Sequence, residues 1–255
     1  MTKTWFITGV SSGLGRLAME RLLARGDAVI GSVRRPDALA ELRERHGESL
    51  RIVTLDVTDG AAVRAVLDDA FARAGRIDVI VNNAGYGLFG AAEEVTDAQI
   101  DQQLATNLMG SMHVIRAALP QLRRQGGGRI LQVSSEGGQI AYPNFSVYHA
   151  SKWGIEGFIE AVAQEVAAFG IEFSILEPGP TGTNFGANLV QAEPLPAYAA
   201  TPAGDVRRAI ADGSFVIRGD AAKTVDAVEV RWPDGTLTRY PGGPAGRLLR
   251  LAQPR

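Results

Sequence analysis

Apolar and polar positions follow two different periods along residues 1–180. Helix-like segments place an apolar residue every three or four positions, as at Leu14, Leu17 and Leu22, with charged residues between them. Strand-like segments are short apolar runs bounded by glycine or polar residues. Because the two kinds of segment alternate, the pattern predicts a parallel β-sheet wrapped by helices. The predicted strands cover residues 5–8, 28–33, 52–56, 79–82, 129–134 and 172–176.

Glycines mark the expected ends of several helices. Gly26, Gly75 and Gly170 each follow a helical pattern and precede a predicted strand. A left-handed residue that closes the last turn of a helix is most often glycine, because glycine has no Cβ to clash there. We therefore expect these three residues to adopt positive φ angles.

The composition describes an ordinary globular protein. The chain has 255 residues, 45% of them hydrophobic and 21% charged, with a formal net charge of −2. This balance predicts no nucleic-acid partner, and no apolar run approaches the roughly 20 residues of a membrane-spanning helix. The absence of cysteine excludes disulfides and thiolate metal sites and fits a cytoplasmic location. Three scattered histidines, His46, His113 and His149, do not predict a metal site.

A glycine-rich turn follows the first predicted strand and precedes an amphipathic helix. Glycines let the backbone press close to a pyrophosphate, while the free N–H groups at the helix start favour its negative charge. A plain strand-to-helix turn is the alternative, but the flanking strand and helix supply the context that a dinucleotide site requires. The residues expected to contact the dinucleotide here are Gly9, Ser11, Ser12, Gly13, Leu14 and Gly15.

A serine, a tyrosine and a lysine form the candidate catalytic set. Ser135 ends the fifth predicted strand, and Tyr148 and Lys152 lie four residues apart, so on a helix they share one face. A nearby ammonium stabilises a phenolate, so we expect Lys152 to bring the pKa of Tyr148 down from about 10 towards neutrality. Ser135 would bind the substrate oxygen while Tyr148 exchanges a proton. Taken singly, each residue also has a purely structural explanation.

The glycine spacing Gly-x-x-x-Gly-x-Gly, the intact Asn82-Asn83-Ala84-Gly85 and the Ser-Tyr-Lys set together resemble the short-chain dehydrogenase/reductase family. The resemblance covers residues 3–185. It implies a Rossmann-type, doubly wound α/β fold, with a mostly parallel sheet and helices on both faces. It also implies a homodimer or homotetramer. The apolar residues of 153–168 could form such an interface, although core packing explains them equally well.

The resemblance assigns further residues by their place in the family's motifs. It implies that Asn107 is a fourth catalytic residue, positioning a water in a proton relay through Lys152. The Pro-Gly pair after the sixth predicted strand is also typical of an ordinary turn. The cofactor contacts that the resemblance implies are Asp56, Val57, Asn83, Ala84, Gly85, Tyr148, Lys152, Pro178, Gly179, Thr181 and Thr183.

The end of the second predicted strand indicates which dinucleotide binds. An acid there would bind a ribose 2′-hydroxyl, whereas a basic residue would meet a 2′-phosphate. The chain offers Arg34 and Arg35 and no carboxylate, which favours NADP(H) over NAD(H). The alternative is that both arginines are simply solvated.

The last third of the chain is harder to interpret. We expect a single domain over 1–255, in which 1–180 forms the cofactor and catalytic core and 181–255 a covering segment and tail. Prolines and glycines over 184–213 predict a mobile segment that covers the substrate. Residues 228–231 and 237–240 flank a turn-like stretch, which predicts either a terminal hairpin or a strand that extends the main sheet.

These observations favour reversible carbonyl/alcohol interconversion with NADP(H) on a small, partly apolar substrate. Segments that carry Phe89, Tyr142, Phe145 and Phe185 are expected near the reacting atoms. Glu136, next to the catalytic serine, either lines this site or points to solvent. A dehydratase or epimerase that retains its cofactor and a non-catalytic NADP-sensing regulator are the alternative functions.

Overall fold

The computed structural model describes residues 2–215, 219–221, 229–231, 237–239 and 248–249. Its strands are, in chain order, β1 (Thr4–Thr8), β2 (Ala28–Val33), β3 (Leu50–Thr54), β4 (Val79–Asn82), β5 (Leu88–Phe89), β6 (Gly128–Val133), β7 (Ile171–Leu176), β8 (Thr181–Gly182), β9 (Val190–Gln191), β10 (Gly219–Asp220), β11 (Glu229–Arg231), β12 (Leu237–Arg239) and β13 (Leu248–Leu249). Its α-helices are α1 (Gly13–Ala24), α2 (Ala40–His46), α3 (Gly60–Ala74), α4 (Asp97–Leu104), α5 (Gly110–Arg124), α6 (Ser146–Val166) and α7 (Pro202–Ala211).

The main sheet has the order β13-β7-β6-β4-β1-β2-β3. All its neighbouring pairs are parallel except β13 with β7. The chain builds outward from β1 to β3 and then returns to β4 on the other side of β1. This reversal opens a crevice at the carboxyl ends of β1 and β4, where doubly wound sheets bind their ligands. The six predicted strands and the predicted fold class are confirmed.

Helices cover both faces of the sheet because side chains alternate along each strand. Phe6 of β1 packs on one side, in a core that includes Leu67 of α3 and Ile155 of α6. Its neighbour Ile7 packs on the opposite side, against Met19 of α1. Phe6 and Ile7 are both fully buried, and burying a side chain of this size stabilises the fold by about 1.5–3 kcal/mol.

The ends of the helices follow from local chemistry. The Asp59 carboxylate accepts hydrogen bonds from the N–H groups of Ala61 and Ala62, at 2.9 and 3.0 Å, and so caps α3. At the opposite ends, Gly26, Gly75 and Gly170 have φ angles of 91°, 70° and 67°. The positive φ angles expected of these glycines are confirmed.

The region that begins near residue 181 contains more regular structure than its prolines predicted. β9 pairs in parallel with β5, and α7 occupies 202–211. These two elements were not predicted, and the expectation that 184–213 is a mobile segment covering the substrate stays a prediction. Pro202 is the first residue of α7, where the missing N–H costs nothing because that position has no intrahelical partner.

The tail forms the first of the two arrangements left open by the sequence. β11 and β12 pair as an antiparallel hairpin, as predicted, and the connecting residues 232–236 lie outside the described part of the chain. A different strand, β13, extends the main sheet beside β7. Within the described residues, no helix is both long and apolar enough to cross a membrane.

Candidate active site

The turn between β1 and α1 accepts only glycine at two positions. Gly9 has a φ of 73°, and a Cβ there would lie 3.0 Å from the Cα of Ala84. A Cβ on Gly15 would lie 2.5 Å from the carbonyl oxygen of Gly9 and would also clash with the side chain of Asn83. The backbone is therefore packed against the end of β4, with no room for a side chain.

Hydrogen bonds join this turn to the residues after β4. The Thr8 hydroxyl accepts from the N–H groups of both Asn83 and Ala84, each at 2.9 Å. The Asn83 side chain donates to the carbonyl oxygens of Thr8 and Gly9, at 2.9 and 3.1 Å. Thr8 was not among the predicted site residues, although its place at the end of β1 could have indicated this role.

The start of α1 suits a bound anion. Ser11 and Ser12 are exposed, and Ser12 precedes the first turn without donating or accepting a capping hydrogen bond through its side chain. The first turn holds no acidic residue, so its N–H groups present an uncompensated positive dipole. The glycine turn, which a Cβ would obstruct, and this helix start together fit the pyrophosphate of a dinucleotide.

Arg34 and Asp56 follow neighbouring strands, β2 and β3, at the same edge of the sheet. The Asp56 carboxylate accepts hydrogen bonds from the N–H and hydroxyl of Thr58, at 2.9 and 2.8 Å. These hydrogen bonds and the charge of Arg34 hold the pKa of Asp56 below its ordinary value. Arg34 and Arg35 are both exposed, while Val57 is buried next to Asp56. The structure thus brings the predicted adenine-side residues to one edge, with Arg34 accessible to a ligand.

Ser135, Tyr148 and Lys152 come together where β6 ends and α6 begins. Ser135 lies near enough to Tyr148 to lower the pKa of its phenol. The Nζ atom of Lys152 lies 5.5 Å from the centre of the Tyr148 ring and donates to the carbonyl oxygen of Val133 at 3.1 Å. Tyr148 and Lys152 are both buried. The three groups therefore face one another, which is the arrangement that acid–base chemistry at a carbonyl requires.

The expected effect of Lys152 on Tyr148 is not what the structure shows. Burial raises the pKa of Tyr148 to about 12, and the charge of Glu136 raises it further, against the lowering effect of the Ser135 hydrogen bond. Burial also lowers the pKa of Lys152 to about 8. Burial is the largest cause of both shifts, and the ammonium of Lys152 donates to the Val133 carbonyl oxygen at 3.1 Å.

Asn107 lies in a π-helical turn, Ala105–Met109, between α4 and α5. Such wide turns in a helix are frequent at functional sites. The side chain of Asn107 accepts from the N–H of Tyr86 at 3.1 Å and donates to the Tyr86 carbonyl at 2.9 Å. It also donates to the hydroxyl of Ser151 in α6, at 3.4 Å. Asn107 thus joins the loop after β4 to the catalytic helix, and Gly85 lies against it.

The residues predicted to contact the nicotinamide form the wall of the site that faces the start of α1. The Pro178 carbonyl accepts from the N–H of Glu136 at 3.0 Å, which ties this turn to the residue after Ser135. The Thr181 hydroxyl donates to the Gly179 carbonyl at 2.7 Å, and the Thr183 hydroxyl accepts from the Phe185 N–H at 3.1 Å. A Cβ on Gly13 would lie 4.0 Å from that of Thr183, so this wall faces the start of α1.

Known proteins share these features of sequence and fold. An oxidoreductase of Botryotinia fuckeliana is 44% identical over 192 residues, covering 75% of this chain and 70% of that protein. A 3-ketodihydrosphingosine reductase of Bacteroides thetaiotaomicron is 37% identical over 71% of this chain and 65% of its own length. A solved short-chain dehydrogenase from Streptomyces avermitilis superposes with a TM-score of 0.80 at 41% identity, covering 88% of this chain and 81% of that one.

Residues 3–194 match the family profile described as short chain dehydrogenase. The chain belongs to the short-chain dehydrogenase family. The predicted resemblance is confirmed, and it spans the glycine turn, the catalytic set and the wall at 178–183. The match ends before α7.

Aromatic rings surround Tyr148 in this short-chain dehydrogenase. The ring of Phe185 lies 5.7 Å from that of Tyr148, and the ring of Phe145 lies 6.1 Å from it on another side. Phe89 packs edge-on against Phe145, with centroids 5.1 Å apart. A Cβ on Gly87 would lie 2.7 Å from the Phe185 ring, so the segment after 184 lies directly over the loop that follows β4.

Three acidic residues near the site were missed or left undecided by the sequence analysis. Glu136 does not simply point to solvent, because its carboxylate accepts from the Tyr142 hydroxyl at 2.7 Å. Glu156 is buried one helical turn after Lys152, and this four-residue spacing could have revealed it. Glu94 is buried and paired with Arg207, a contact between residues too distant in sequence to predict. Among the described residues, no cluster of His, Cys, Asp or Glu could hold a metal ion.

Proposed function

We propose that the chain is an NADP(H)-dependent oxidoreductase that interconverts a carbonyl and a primary or secondary alcohol. The observation that carries this proposal is the buried phenol of Tyr148, with Ser135 near enough to lower its pKa and the Nζ atom of Lys152 5.5 Å from the centre of its ring. The chain belongs to the short-chain dehydrogenase family, and in our proposal these groups supply the proton that must accompany a hydride.

The bound dinucleotide would supply or accept the hydride at its nicotinamide ring. In the direction of reduction, Ser135 donates a hydrogen bond to the carbonyl oxygen and stabilises the developing negative charge. Tyr148 is protonated at neutral pH, because burial raises its pKa to about 12, and it delivers its proton to that oxygen. The ammonium of Lys152 then stabilises the phenolate until a proton returns, and Asn107 holds the adjoining loop in place.

The preference for NADP(H) rests on Arg34. It follows β2 at the position where a dinucleotide's 2′ substituent is recognised, it is exposed, and no acid occupies the strand end. Structures with this fold carry both kinds of cofactor, since one neighbour is described with NADP bound and another, from Burkholderia phymatum, in complex with NAD. Because the fold accepts both dinucleotides, the proposed preference for NADP(H) depends on the charge of Arg34.

A small or medium, partly apolar carbonyl compound is the proposed substrate. Phe145 and Phe185 flank the phenol that exchanges the proton, so an apolar group next to the reacting carbon would be buried against them. A relative named as a ketone reductase, the Bacteroides protein, agrees with carbonyl reduction.

We also propose a homodimer or homotetramer in the cytoplasm. Met109 and Trp153 are large apolar residues that are 45% and 54% exposed, on the adjacent π-helical turn and α6. Self-association through this face would remove them from water. Light scattering coupled to size exclusion distinguishes these states from a monomer.

The function is tested by following NADPH consumption with a panel of aldehydes, ketones, keto-esters and steroids, with NADH in parallel. Faster oxidation of NADPH than of NADH with at least one carbonyl compound is the expected result. Binding of NADPH without turnover of any compound would instead favour the sensing regulator. Conversion of an alcohol substrate without net change in the cofactor would favour a dehydratase or epimerase.

A further inference from the structure

Glu136 places a carboxylate beside the reacting groups. It is the residue after Ser135, and its N–H donates to Pro178 at 3.0 Å, so its backbone is fixed between the catalytic serine and the nicotinamide-side turn. One carboxylate oxygen accepts from the Tyr142 hydroxyl at 2.7 Å. The other lies 2.9 Å from the position that a Cβ on Gly179 would take. The side chain therefore points along the wall of the site.

The charge of Glu136 is felt at the reacting phenol. It is one of the two causes that raise the pKa of Tyr148, the other being burial. The same charge is not among the causes that act on Lys152, where Glu156 is the neighbouring acid. The carboxylate of Glu136, held by Tyr142 and close to Gly179, therefore lies on the side of the nicotinamide-side turn.

No cation of the described chain neutralises this carboxylate. None of the ion pairs between described residues includes Glu136, and its side-chain hydrogen bond comes from the neutral Tyr142 hydroxyl. Glu136 is half-buried. Its carboxylate is therefore available to pair with a cation supplied by the ligand.

The other side of the reacting phenol is apolar. Phe185 and Phe145 flank Tyr148, and Leu189 follows Phe185 over the loop at Gly87. A substrate that fits both walls has a positive group at the Glu136 end and an apolar body against the aromatic rings.

We propose that Glu136 determines specificity by binding a protonated amine next to the reacting carbonyl or alcohol carbon of an amino ketone or amino alcohol with an apolar chain. This inference rests on the proposed function. An ammonium there would complete the partners of the carboxylate with a charge-assisted hydrogen bond. Tyr142, which holds the carboxylate in place, is a positioning residue in this arrangement.

The test compares two alkyl ketones of equal length. In one, an ammonium group is attached to the carbon beside the carbonyl, and in the other a methyl group replaces the ammonium. The wild-type enzyme should favour the ammonium ketone in kcat/KM by about 10-fold or more, mainly through KM, because a hydrogen bond to a charged group contributes about 1.5–3 kcal/mol. Glu136→Gln should abolish most of that preference, and Glu136→Asp should retain part of it.

A matched control separates this role from a general loss of charge. Glu160→Gln removes an exposed carboxylate further along α6 and should leave the preference as it is in the wild type. Equal loss of kcat/KM on both ketones in Glu136→Gln would overturn the inference, as would an unchanged ratio. A change confined to the KM for NADPH would show that Glu136 contacts the cofactor instead.

Calorimetry keeps the inference testable without turnover. The two corresponding alcohols are titrated into wild-type and Glu136→Gln protein in the presence of NADPH, to which an alcohol cannot give a hydride. Tighter binding of the ammonium alcohol to the wild type alone supports the inference, and equal binding of both alcohols overturns it.

If the methyl ketone is reduced but the ammonium ketone is no better, this inference fails while the proposed oxidoreductase function stands. If neither ketone nor the wider panel is reduced, the proposed function fails first.

Discussion

Lys152 and Glu156 bind consecutive residues at the end of β6. The ammonium of Lys152 donates to the Val133 carbonyl at 3.1 Å, and the carboxylate of Glu156 accepts from the Ser134 hydroxyl. The next residue is Ser135, which we propose to be catalytic. Because both side chains project from the same face of α6, they fix the strand end that presents the serine to Tyr148.

We expect Glu156→Gln to shift the pH dependence of catalysis to lower pH. The pKa of Lys152 is lowered to about 8 by burial, and the charge of Glu156 partly opposes that shift. Lys152 is charged below its pKa, so activity that needs the ammonium falls as pH rises through about 8. Without the acid this pKa drops further, and the fall should begin at lower pH. The pH profile of kcat/KM measures the shift.

Glu160→Gln is the matched control for this variant, since Glu160 is exposed on the same helix. Its profile should match that of the wild type. If Glu156→Gln reduced activity equally at every pH, Glu156 would hold the strand end without affecting the charge of Lys152.

Tyr148→Phe should remove the proton donor and leave the cofactor site intact. The phenol oxygen is the only group lost, and the buried ring keeps its contacts with Phe145 and Phe185. General acid catalysis contributes about 10²–10⁴-fold, so kcat should fall by at least about 100-fold. Fluorescence titration with NADPH should give a Kd close to that of the wild type. A variant with near-normal kcat would show that another group delivers the proton.

The sequence was sufficient for the parts of the fold that depend on local patterns. The parallel strands followed from short apolar runs, and the positive φ angles at Gly26, Gly75 and Gly170 followed from their place after helical patterns. The convergence of Ser135 with Tyr148 and Lys152 was also predictable, because strand ends of a parallel sheet meet at one edge and a four-residue spacing shares a helix face.

What the sequence could not provide depends on burial and on long-range contacts. The pKa of Tyr148 was expected to fall, but desolvation in the folded chain raises it, and burial is not visible in a motif. The ordered α7 was missed because its first residue is a proline, which also ends helices. The pairing of Glu94 with Arg207 joins segments 113 residues apart and carries no local signal.

Gly15→Ala should abolish cofactor binding. The added methyl group would meet the carbonyl oxygen of Gly9 and the side chain of Asn83, neither of which can move without opening the turn. Gly157→Ala is the control, because a Cβ at that exposed position of α6 meets nothing within 4 Å. Alanine there should preserve binding and stabilise the helix by roughly 0.5–1 kcal/mol. Normal NADPH affinity in Gly15→Ala would show that the turn does not hold the pyrophosphate.

Arg34→Asp should shift the cofactor preference towards NAD(H). The change replaces attraction of a 2′-phosphate with repulsion and supplies an acid that can bind a ribose hydroxyl. Loss of a charge-assisted contact of about 1.5–3 kcal/mol corresponds to a 10- to 100-fold lower kcat/KM with NADPH. Arg35→Asp shows whether the second arginine shares the contact, and Arg45→Asp, exposed on α2, controls for charge alone. Identical NADPH/NADH ratios in all three variants would mean that Arg34 is only a solvated charge.

The ion pair of Glu94 with Arg207 should make stability depend on pH in a defined window. The Glu94 carboxylate accepts from Arg207 at 2.6 Å and from the N–H groups of Leu195 and Ala91, at 2.9 and 2.7 Å. These contacts, with Arg207 first, lower the pKa of Glu94 from 4.5 to about 2. The ion pair joins the loop after β5 to α7. It thereby fixes the position of the segment after residue 184, which lies over the aromatic rings around Tyr148.

A carboxyl whose pKa is lower in the folded state contributes stability above its unfolded value, here 4.5, and that contribution is lost as pH falls towards 2. Glu94→Gln leaves Arg207 without its charged partner and should cost about 3 kcal/mol at pH 7, or roughly 6–12 °C in Tm for a chain of this size. The difference from the wild type should shrink as the pH is lowered below 4.5. Glu93→Gln, at the exposed neighbouring position, should change Tm little at any pH. If the Tm difference of Glu94→Gln were constant between pH 7 and pH 3, the ionised pair would not be what fastens α7 to the rest of the molecule.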